Sequence, residues 1–430
     1  MALNYLFVGF ILIGFLMALF QLLVNGNAEI FTQIVQGTFD NSKLGFEISL
    51  GLTGALTLWM GIMKIGENGK AVHYLSRWVS PFFNRLFPEV PKNHPVFGSI
   101  MMNFSANMLG LDNAATPMGL KAMEELQALN PEKEKASNAQ IMFLVLNTSG
   151  LTLIPVSILA LRAQQLYMQS EGLTGTLSAF PTDVFLPILI ATFVSTLVGI
   201  TAVSIKQKIN LFQPVVMAYL IGTTAIIAGI IAYFSSLNPD QISTQSGLLA
   251  SFTLLSIITL FVVLAFKNKV NVYDSFIDGA KGGFNTAIKI IPYLVGILVA
   301  IGIFRTCGAL DLLLEGVRSI AGLFTDDLGF IEALPTALMK PLSGGGARAA
   351  MVETMNHYPL FVQDGKILET FPSFLSGIFQ GSTETTFYVL AVYFGSVGIK
   401  NSRYALGAGL IADLAGIIAA VVVGYLFYAV

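Results

Sequence analysis

Apolar runs long enough to cross a lipid bilayer recur along the whole chain, and they limit it to very few architectures. A hydrocarbon core is spanned by a helix of roughly 20 residues, and inside it every backbone N–H and C=O must find a partner within the protein. Nine runs are read as crossings, at 5–24, 46–64, 140–161, 184–205, 215–234, 248–266, 288–304, 372–394 and 406–428. Composition agrees: 54% of residues are hydrophobic, only 11% are charged and the mean hydropathy is +0.73. An average soluble domain carries about 25% charged residues. The expected class is therefore an all-α polytopic membrane protein. The N-terminus, Met1-Ala2-Leu3-Asn4, lacks the basic region of a secretory signal, so the first run is read as an uncleaved span.

Several chemistries are disfavoured by the same inventory. The net charge is −2 and the 23 basic residues are scattered through short loops, which leaves no basic stripe for nucleic acid. One cysteine, Cys307, forms no internal disulfide, and His73, His94 and His357 lie too far apart for a familiar metal-ligand spacing. No cofactor and no metal site is expected.

Two stretches fit neither a span nor a loop. Residues 95–126 are apolar on both sides of Asn103-Phe104-Ser105-Ala106-Asn107-Met108-Leu109-Gly110-Leu111-Asp112-Asn113, and residues 331–355 are apolar around Pro341-Leu342-Ser343-Gly344-Gly345-Gly346-Ala347-Arg348. Three consecutive glycines cost a helix about 1 kcal/mol each relative to alanine. Each stretch reads as a re-entrant helical hairpin with an irregular tip, which is tolerated at membrane depth only when buried or lining a wet cavity. Loops packed on the surface are the alternative. The segments 28–43, 71–87 and 271–281 read as interfacial helices.

One span carries an ionisable group in Gln380-Gly381-Ser382-Thr383-Glu384-Thr385-Thr386. A carboxylate at that depth normally faces protein or a wet cavity and is a functional candidate, although a structural ion pair or a position near the interface would also accommodate Glu384.

The two halves repeat each other. Residues 30–82 align with 272–324 without a gap, placing Gly37 on Gly279, Gly54 on Gly296 and Gly66 on Gly308. Asp112-Asn113 falls opposite Ala347-Arg348, Asn147-Thr148-Ser149 opposite Gln380-Gly381-Ser382, and Thr192 opposite Asp413. Basic residues in short loops put 64–94, 121–135, Lys206, Lys208, Lys267, Lys269 and 400–403 in the cytoplasm, so the hairpins enter from opposite sides. Arg305 and Arg318 fall outside in this scheme and fit it poorly. The expected organisation is a first span (1–27), a first repeat (28–205), an inserted helix pair (206–270) and a second, inverted repeat (271–430).

Inverted repeats with interrupted helices are a transporter design, with the site at the midplane. The candidate substrate- or ion-binding residues are Asn103, Ser105, Asn107, Asp112, Asn113, Asn147, Thr148 and Ser149 from the first half. The second half offers Ser343, Arg348, Gln380, Ser382, Thr383, Glu384 and Thr385. Asp413 is left between this network and a helix-contact cap. The expected function is movement of a small polar or amphiphilic solute, ion-coupled or facilitative; the alternative is a non-transporting scaffold or assembly factor. An enzyme is disfavoured because the cluster has no histidine or cysteine, although Ser382 near Glu384 leaves a nucleophile open.

These motifs also carry a family resemblance. The run from Asn103 to Leu126 resembles the signature of bacterial spore maturation protein A, while 341–355 and 381–400, with Glu384-Thr385-Thr386-Phe387-Tyr388, resemble spore maturation protein B. Both halves look like the nucleoside-recognition, or gate, domain family, which also appears in concentrative nucleoside transporters and ferrous iron transporters. The resemblance covers nearly the whole chain in the order of an A–B fusion. It implies a multi-pass protein of the bacterial cytoplasmic membrane with an inverted-repeat core, elevator-like movement, and a role in spore maturation or the envelope. It also implies a homo-oligomer held by the spans outside the repeats. It does not supply the substrate, and the chain lacks the GTPase domain and cysteine ligands of an iron path.

Overall fold

A computed structural model describes residues 2–92, 94–109, 112–237, 239–323 and 325–428. The first helices are α1 (Ala2–Asn25), α2 (Glu29–Asn68), α3 (Ala71–Leu86), α4 (Val96–Met108), α5 (Asp112–Leu129), α6 (Asn138–Thr148) and α7 (Val156–Ser170). After strand β1 (Thr176–Leu177) come α8 (Phe185–Gln207), α9 (Pro214–Ser235), α10 (Pro239–Lys267), α11 (Val272–Thr306) and α12 (Ala309–Ala321). The chain continues with α13 (Leu334–Met339), α14 (Gly344–His357), β2 (Phe361–Gln363), β3 (Lys366–Leu368), α15 (Phe371–Gly381), α16 (Thr386–Ser396) and α17 (Ala405–Phe427). Among the described residues six helices are long and apolar enough to cross a membrane, or seven if α11 and α12, bent by 69° between Thr306 and Ala309, are counted as one span.

Internal packing divides the chain into two units. The first comprises Met1–Thr57, Ala160–Pro181 and Gly283–Gln380; the second comprises Leu58–Leu159, Thr182–Gly282 and Gly381–Val430. Helices α2 and α11 each begin in one unit and end in the other.

Three differences from the sequence reading have local causes. Segments 28–43 and 271–281 are not separate interfacial helices but the opening turns of α2 and α11, because neither joint carries a proline or a left-handed residue to break it. The triple glycine is not an irregular tip: Gly344–Gly346 form the first turn of α14, capped by Ser343, whose Oγ accepts from Gly346 N at 3.0 Å. At that end of a helix the backbone N–H groups have no intrahelical partner anyway, so glycine costs little there. The runs 140–161 and 372–394, read as broken polar spans, are indeed each two short helices, and what the structure adds is where they are interrupted, at 149–155 and 382–385. Pro155, without an N–H, stands in the first break. Finally, a three-stranded sheet, ordered β1-β3-β2, interrupts an otherwise helical fold.

The first unit has a small apolar core of Phe304, Cys307, Leu310, Leu314 and Ile331, joined by Phe10 and Met17 of α1. Close approach of α2 and α11 relies on small residues, as membrane helices commonly do. A Cβ on Gly45 would lie 3.0 Å from Val295 Cα. The arginines that fit the orientation scheme poorly are paired inside this unit: Arg305 with Glu353, and Arg318 with Glu332. Glu332 also accepts from the Tyr358 hydroxyl at 2.5 Å. Helices α13 and α14 pack together as the second hairpin.

This unit is also fastened by a clasp between α7 with the segment after it and the segment before α15. Thr176 pairs with Lys366 in the sheet, and Arg162 meets Glu369 through two bonds of 2.8 Å, both side chains buried. Ser373 Oγ donates to the same carboxylate at 2.6 Å.

In the second unit, α4 and α5 pack together as the first hairpin, and α8 and α17 make the most extensive helix contact of the fold. The core runs through Phe83, Phe104, Met123, Phe143, Ile200 and Phe394. A second clasp joins the segment before α6 to the segment after α16. Ala136 N donates to Asn401 O at 2.9 Å, Lys400 N donates to Glu134 O at 2.9 Å, and Lys400 Nζ meets Glu134 at 2.6 Å.

Candidate functional site

The site is assembled in the second unit from the two breaks. Helix α6 begins in a capping box, Ser137 with Gln140, and runs buried on every side to Thr148. Ending a helix inside protein leaves carbonyls to be satisfied. Thr148 O receives Glu384 N at 2.9 Å, so the break after α6 and the break before α16 meet main chain to main chain. Ser149 O receives the Thr196 hydroxyl of α8. Further along the same break, Thr152 N donates to Thr192 Oγ1 at 3.3 Å.

A side-chain network adjoins this junction. Asn107 Nδ2, in the last turn of α4, donates to Asn147 Oδ1 at 2.8 Å, and Asn147 Nδ2 donates to Phe143 O at 2.9 Å. Tyr393 of α16 donates its hydroxyl to Asn147 Oδ1 at 3.4 Å and receives Asn103 Nδ2 at 3.2 Å. Asn103 Nδ2 also reaches Ala115 O on α5 at 2.8 Å, tying the two arms of the first hairpin together. Four polar side chains from α4, α6 and α16 thus form one buried or half-buried chain. A Cβ on Gly119 would run into the Tyr393 hydroxyl, so α5 has to be bare at that point.

The helices behind the breaks lie close because of glycine. A Cβ on Gly199 would sit 3.0 Å from Ser149 Oγ and 3.2 Å from Ala412 Cβ, and one on Gly416 would sit 2.9 Å from Ser382 O. Ser195 Oγ donates across the α8–α17 contact to Ala412 O at 2.9 Å.

Most sequence-derived candidates gather here. Asn103, Asn107, Asn147, Thr148, Ser149, Ser382, Thr383 and Thr385 all belong to the second unit, and Asn107 alone among them is more than slightly exposed. Ser105 is buried against Ser76 Oγ at 3.1 Å. Glu384 belongs here too, but through its backbone; its side chain is exposed. The side chains of Asp112 and Asn113 lie outside the described residues. Ser343, Arg348 and Gln380 belong to the first unit, where Ser343 caps α14. Arg348 Nε and Gln380 Oε1 are buried without a hydrogen-bond partner among the described residues.

Sequence reasoning missed Tyr393 and Thr196 and placed Thr192 only as the repeat counterpart of Asp413. Each sits in an apolar run, where a tyrosine or a threonine has ordinary explanations as an interface anchor or a back-bonded hydroxyl. Among the described residues no group of three or more His, Cys, Asp or Glu is placed to hold a metal.

Residues 49–164 match the Gate family, described as nucleoside recognition. Two relatives come from Bacillus subtilis (strain 168). Spore maturation protein A is 37% identical over 204 residues, which is 47% of this chain and 93% of that protein. The chain belongs to the spore maturation protein A/B family. Spore maturation protein B is 42% identical over 163 residues, 37% of this chain and 84% of that protein. A chain related to both is a fused A/B member of the family, and its apolar helices make it a multi-pass membrane protein in contact with lipid. The first hairpin and α6, which supply Asn103, Asn107 and Asn147, fall inside the Gate match.

Proposed function

We propose that this family member is a transporter of a small polar or amphiphilic solute in the bacterial cytoplasmic membrane, binding it where its two broken segments meet. The bond from Glu384 N to Thr148 O carries the reading. Unwound backbone at membrane depth is tolerated where it is buried or lines a cavity, and paired interrupted helices with free dipole ends are how secondary transporters build their sites.

The inverted-repeat reading, 28–205 against 271–430 with 206–270 inserted, gains support from element order. A long helix (α2, α11), a left-handed residue (Lys70, Gly308), an amphipathic helix (α3, α12), a hairpin, a broken segment and a closing helix (α8, α17) occur twice. Each clasp joins the start of one broken segment to the end of the other, as antiparallel neighbours require. Counting α11 with α12 as one bent span beside the six apolar helices, and each broken segment as one crossing, gives nine among the described residues. Arg305 is paired with Glu353 in a largely buried contact, whereas Arg318, paired with Glu332, stays 40% exposed and remains the poorest fit to the orientation.

On this reading Asn103, Asn107, Asn147, Thr148, Ser149, Ser382, Thr383 and Thr385 line the site, Ser105 supports it, and Glu384 offers its carboxylate at the open edge. Asp112 and Asn113 stand at the hairpin tip. Ser343, Arg348 and Gln380 are candidates from the second hairpin and broken segment.

The test is reconstitution into liposomes preloaded with a mixture of nucleosides, amino acids, sugars and small organic acids, with mass spectrometry of what leaves. Wild type is expected to deplete one chemical class and Asn147→Ala to retain it. Equal retention of every class by wild type, together with a stoichiometric partner that survives detergent extraction, would replace transport with a scaffold.

A further inference from the structure

We infer that Asp413 is the charged ligand of a monovalent-cation site, with sodium as its occupant, built on one face of α17 against the second break. The inference deepens the transport reading by naming a coupling ion, but ion binding is measurable without any solute.

Asp413 is 2% exposed inside a helix that is otherwise apolar. An acid in such a place is expensive, and in membrane proteins it generally marks an ion or proton path. Gly409, Asp413 and Gly416 stand at i−4, i and i+3, so they share one face. That face lies against the break: a Cβ on Gly409 would be 3.5 Å from Thr148 Oγ1 and 3.6 Å from Thr386 Oγ1, and one on Gly416 would be 2.9 Å from Ser382 O and 2.7 Å from Thr383 Cγ2. The carboxylate between them accepts from Thr386 Oγ1 at 2.7 Å. Thr383 is 3% exposed, and its hydroxyl oxygen is buried with no hydrogen-bond partner among the described residues.

Packing alone does not ask for a carboxylate here. At the equivalent position of the first half, Thr192 secures the other break with a hydroxyl, accepting from Thr152 N. A threonine does that work at far lower desolvation cost than an acid. The second half therefore places a carboxylate where the first half places a hydroxyl.

The surroundings decide the ligand. Carboxylate, hydroxyl and backbone carbonyl are hard oxygen donors, and broken helices present such carbonyls to cations. Among the described residues no cluster of three or more potential metal-binding side chains exists, as a multi-carboxylate divalent site would require. One carboxylate neutralises one positive charge, whereas a divalent ion would remain charged in a buried setting.

The experiment is thermal unfolding of the purified full chain in detergent at fixed ionic strength, with sodium, potassium or choline chloride. Wild type should melt about 5 °C higher in saturating sodium than in choline, the size expected for a ligand well above its dissociation constant. Asp413→Asn should abolish the sodium increment while remaining monodisperse and helical by circular dichroism. Thr383→Val, which keeps the methyl contact with Gly416, should shift the sodium midpoint upward about tenfold, the loss of one good oxygen ligand. Equal melting of wild type in all three salts overturns the proposal, as does an Asp413→Asn protein that keeps the full sodium increment. A wild-type melt that responds to pH and not to sodium also overturns it and makes Asp413 a proton carrier. A sodium increment in a protein that moves no solute would leave this site standing and remove only the transport reading.

Discussion

Arg162 and Glu369, 207 residues apart, form a bidentate pair whose two bonds are both 2.8 Å. Arg162 also donates to the backbone oxygens of Phe180 and Pro181 and lies 5.9 Å from the centroid of the Phe374 ring. Removing one partner of a buried ion pair strands the other charge, at a typical cost of about 3–5 kcal/mol. Arg162→Met and Glu369→Leu should each lower the melting temperature sharply in detergent. The double variant should recover part of the loss, because neither charge is then left alone. A double variant no better than the worse single one would mean that the backbone contacts of Arg162, not the pair, hold the clasp.

The opposite expectation applies to the second clasp. Lys400 and Glu134 approach to 2.6 Å, but their side chains are 75% and 69% exposed. Exposed pairs are screened and cost side-chain entropy to hold, so Lys400→Ala should change stability by less than about 1 kcal/mol. The main-chain bonds of Ala136 and Asn401 carry this clasp instead. A melting loss as large as that of Glu369→Leu would reverse the assignment.

The spans were legible because a run of some twenty apolar residues has one physical use, whereas the details depended on partners distant in sequence. Composition identifies 406–428 as a crossing; nothing in it says that Gly416 faces Ser382. Asn147 could be singled out because an amide in a span is anomalous, but Tyr393, its network partner, looked like any interfacial tyrosine. Glu384 drew attention for its carboxylate, yet the group that binds is its N–H, which every residue but proline has. Helix cost and exposed backbone point to an irregular tip at the triple glycine, and both arguments fail where a helix starts and a cap uses an orphan N–H. Arg162 stood at the end of a predicted span, and only the fold brings Glu369 to it.

Gly416 tests whether the breaks tolerate adjustment. A Cβ there would stand 2.9 Å from a backbone oxygen, Ser382 O, and 3.1 Å from Ser195 Cβ. Main chain cannot swing aside as a flexible side chain does, so Gly416→Ala should cost about 1–3 kcal/mol as an overpacked contact. Gly407→Ala, on the same helix with nothing within 4 Å, is the control and should be neutral or slightly stabilising. Thermal melts of the two variants side by side check this; equal melts would show that α17 can slide relative to the break.

The amide network gives the sharpest separation of stability from binding. Asn147 Oδ1 takes the Asn107 amide at 2.8 Å and the Tyr393 hydroxyl at 3.4 Å. Asn147→Ala strands both donors and should cost about 1–3 kcal/mol, the ordinary penalty for an unsatisfied buried group. Tyr393→Phe removes the 3.4 Å bond to Asn147 and the 3.2 Å bond from Asn103, whose amide keeps Ala115 O, leaves the ring against Phe143 at a centroid distance of 5.5 Å, and should cost about 1–2 kcal/mol. If the network merely holds the helices together, solute release from liposomes should follow the order of the melting temperatures. If Asn147 binds the solute, Asn147→Ala should stop release at a temperature where the protein is still folded. A destabilised variant away from the breaks, such as Glu369→Leu in the clasp of the first unit, would meanwhile continue to transport. Measuring release for all three variants some 10 °C below the lowest melt separates the two outcomes, because a few kcal/mol of lost stability leaves the folded fraction there nearly complete.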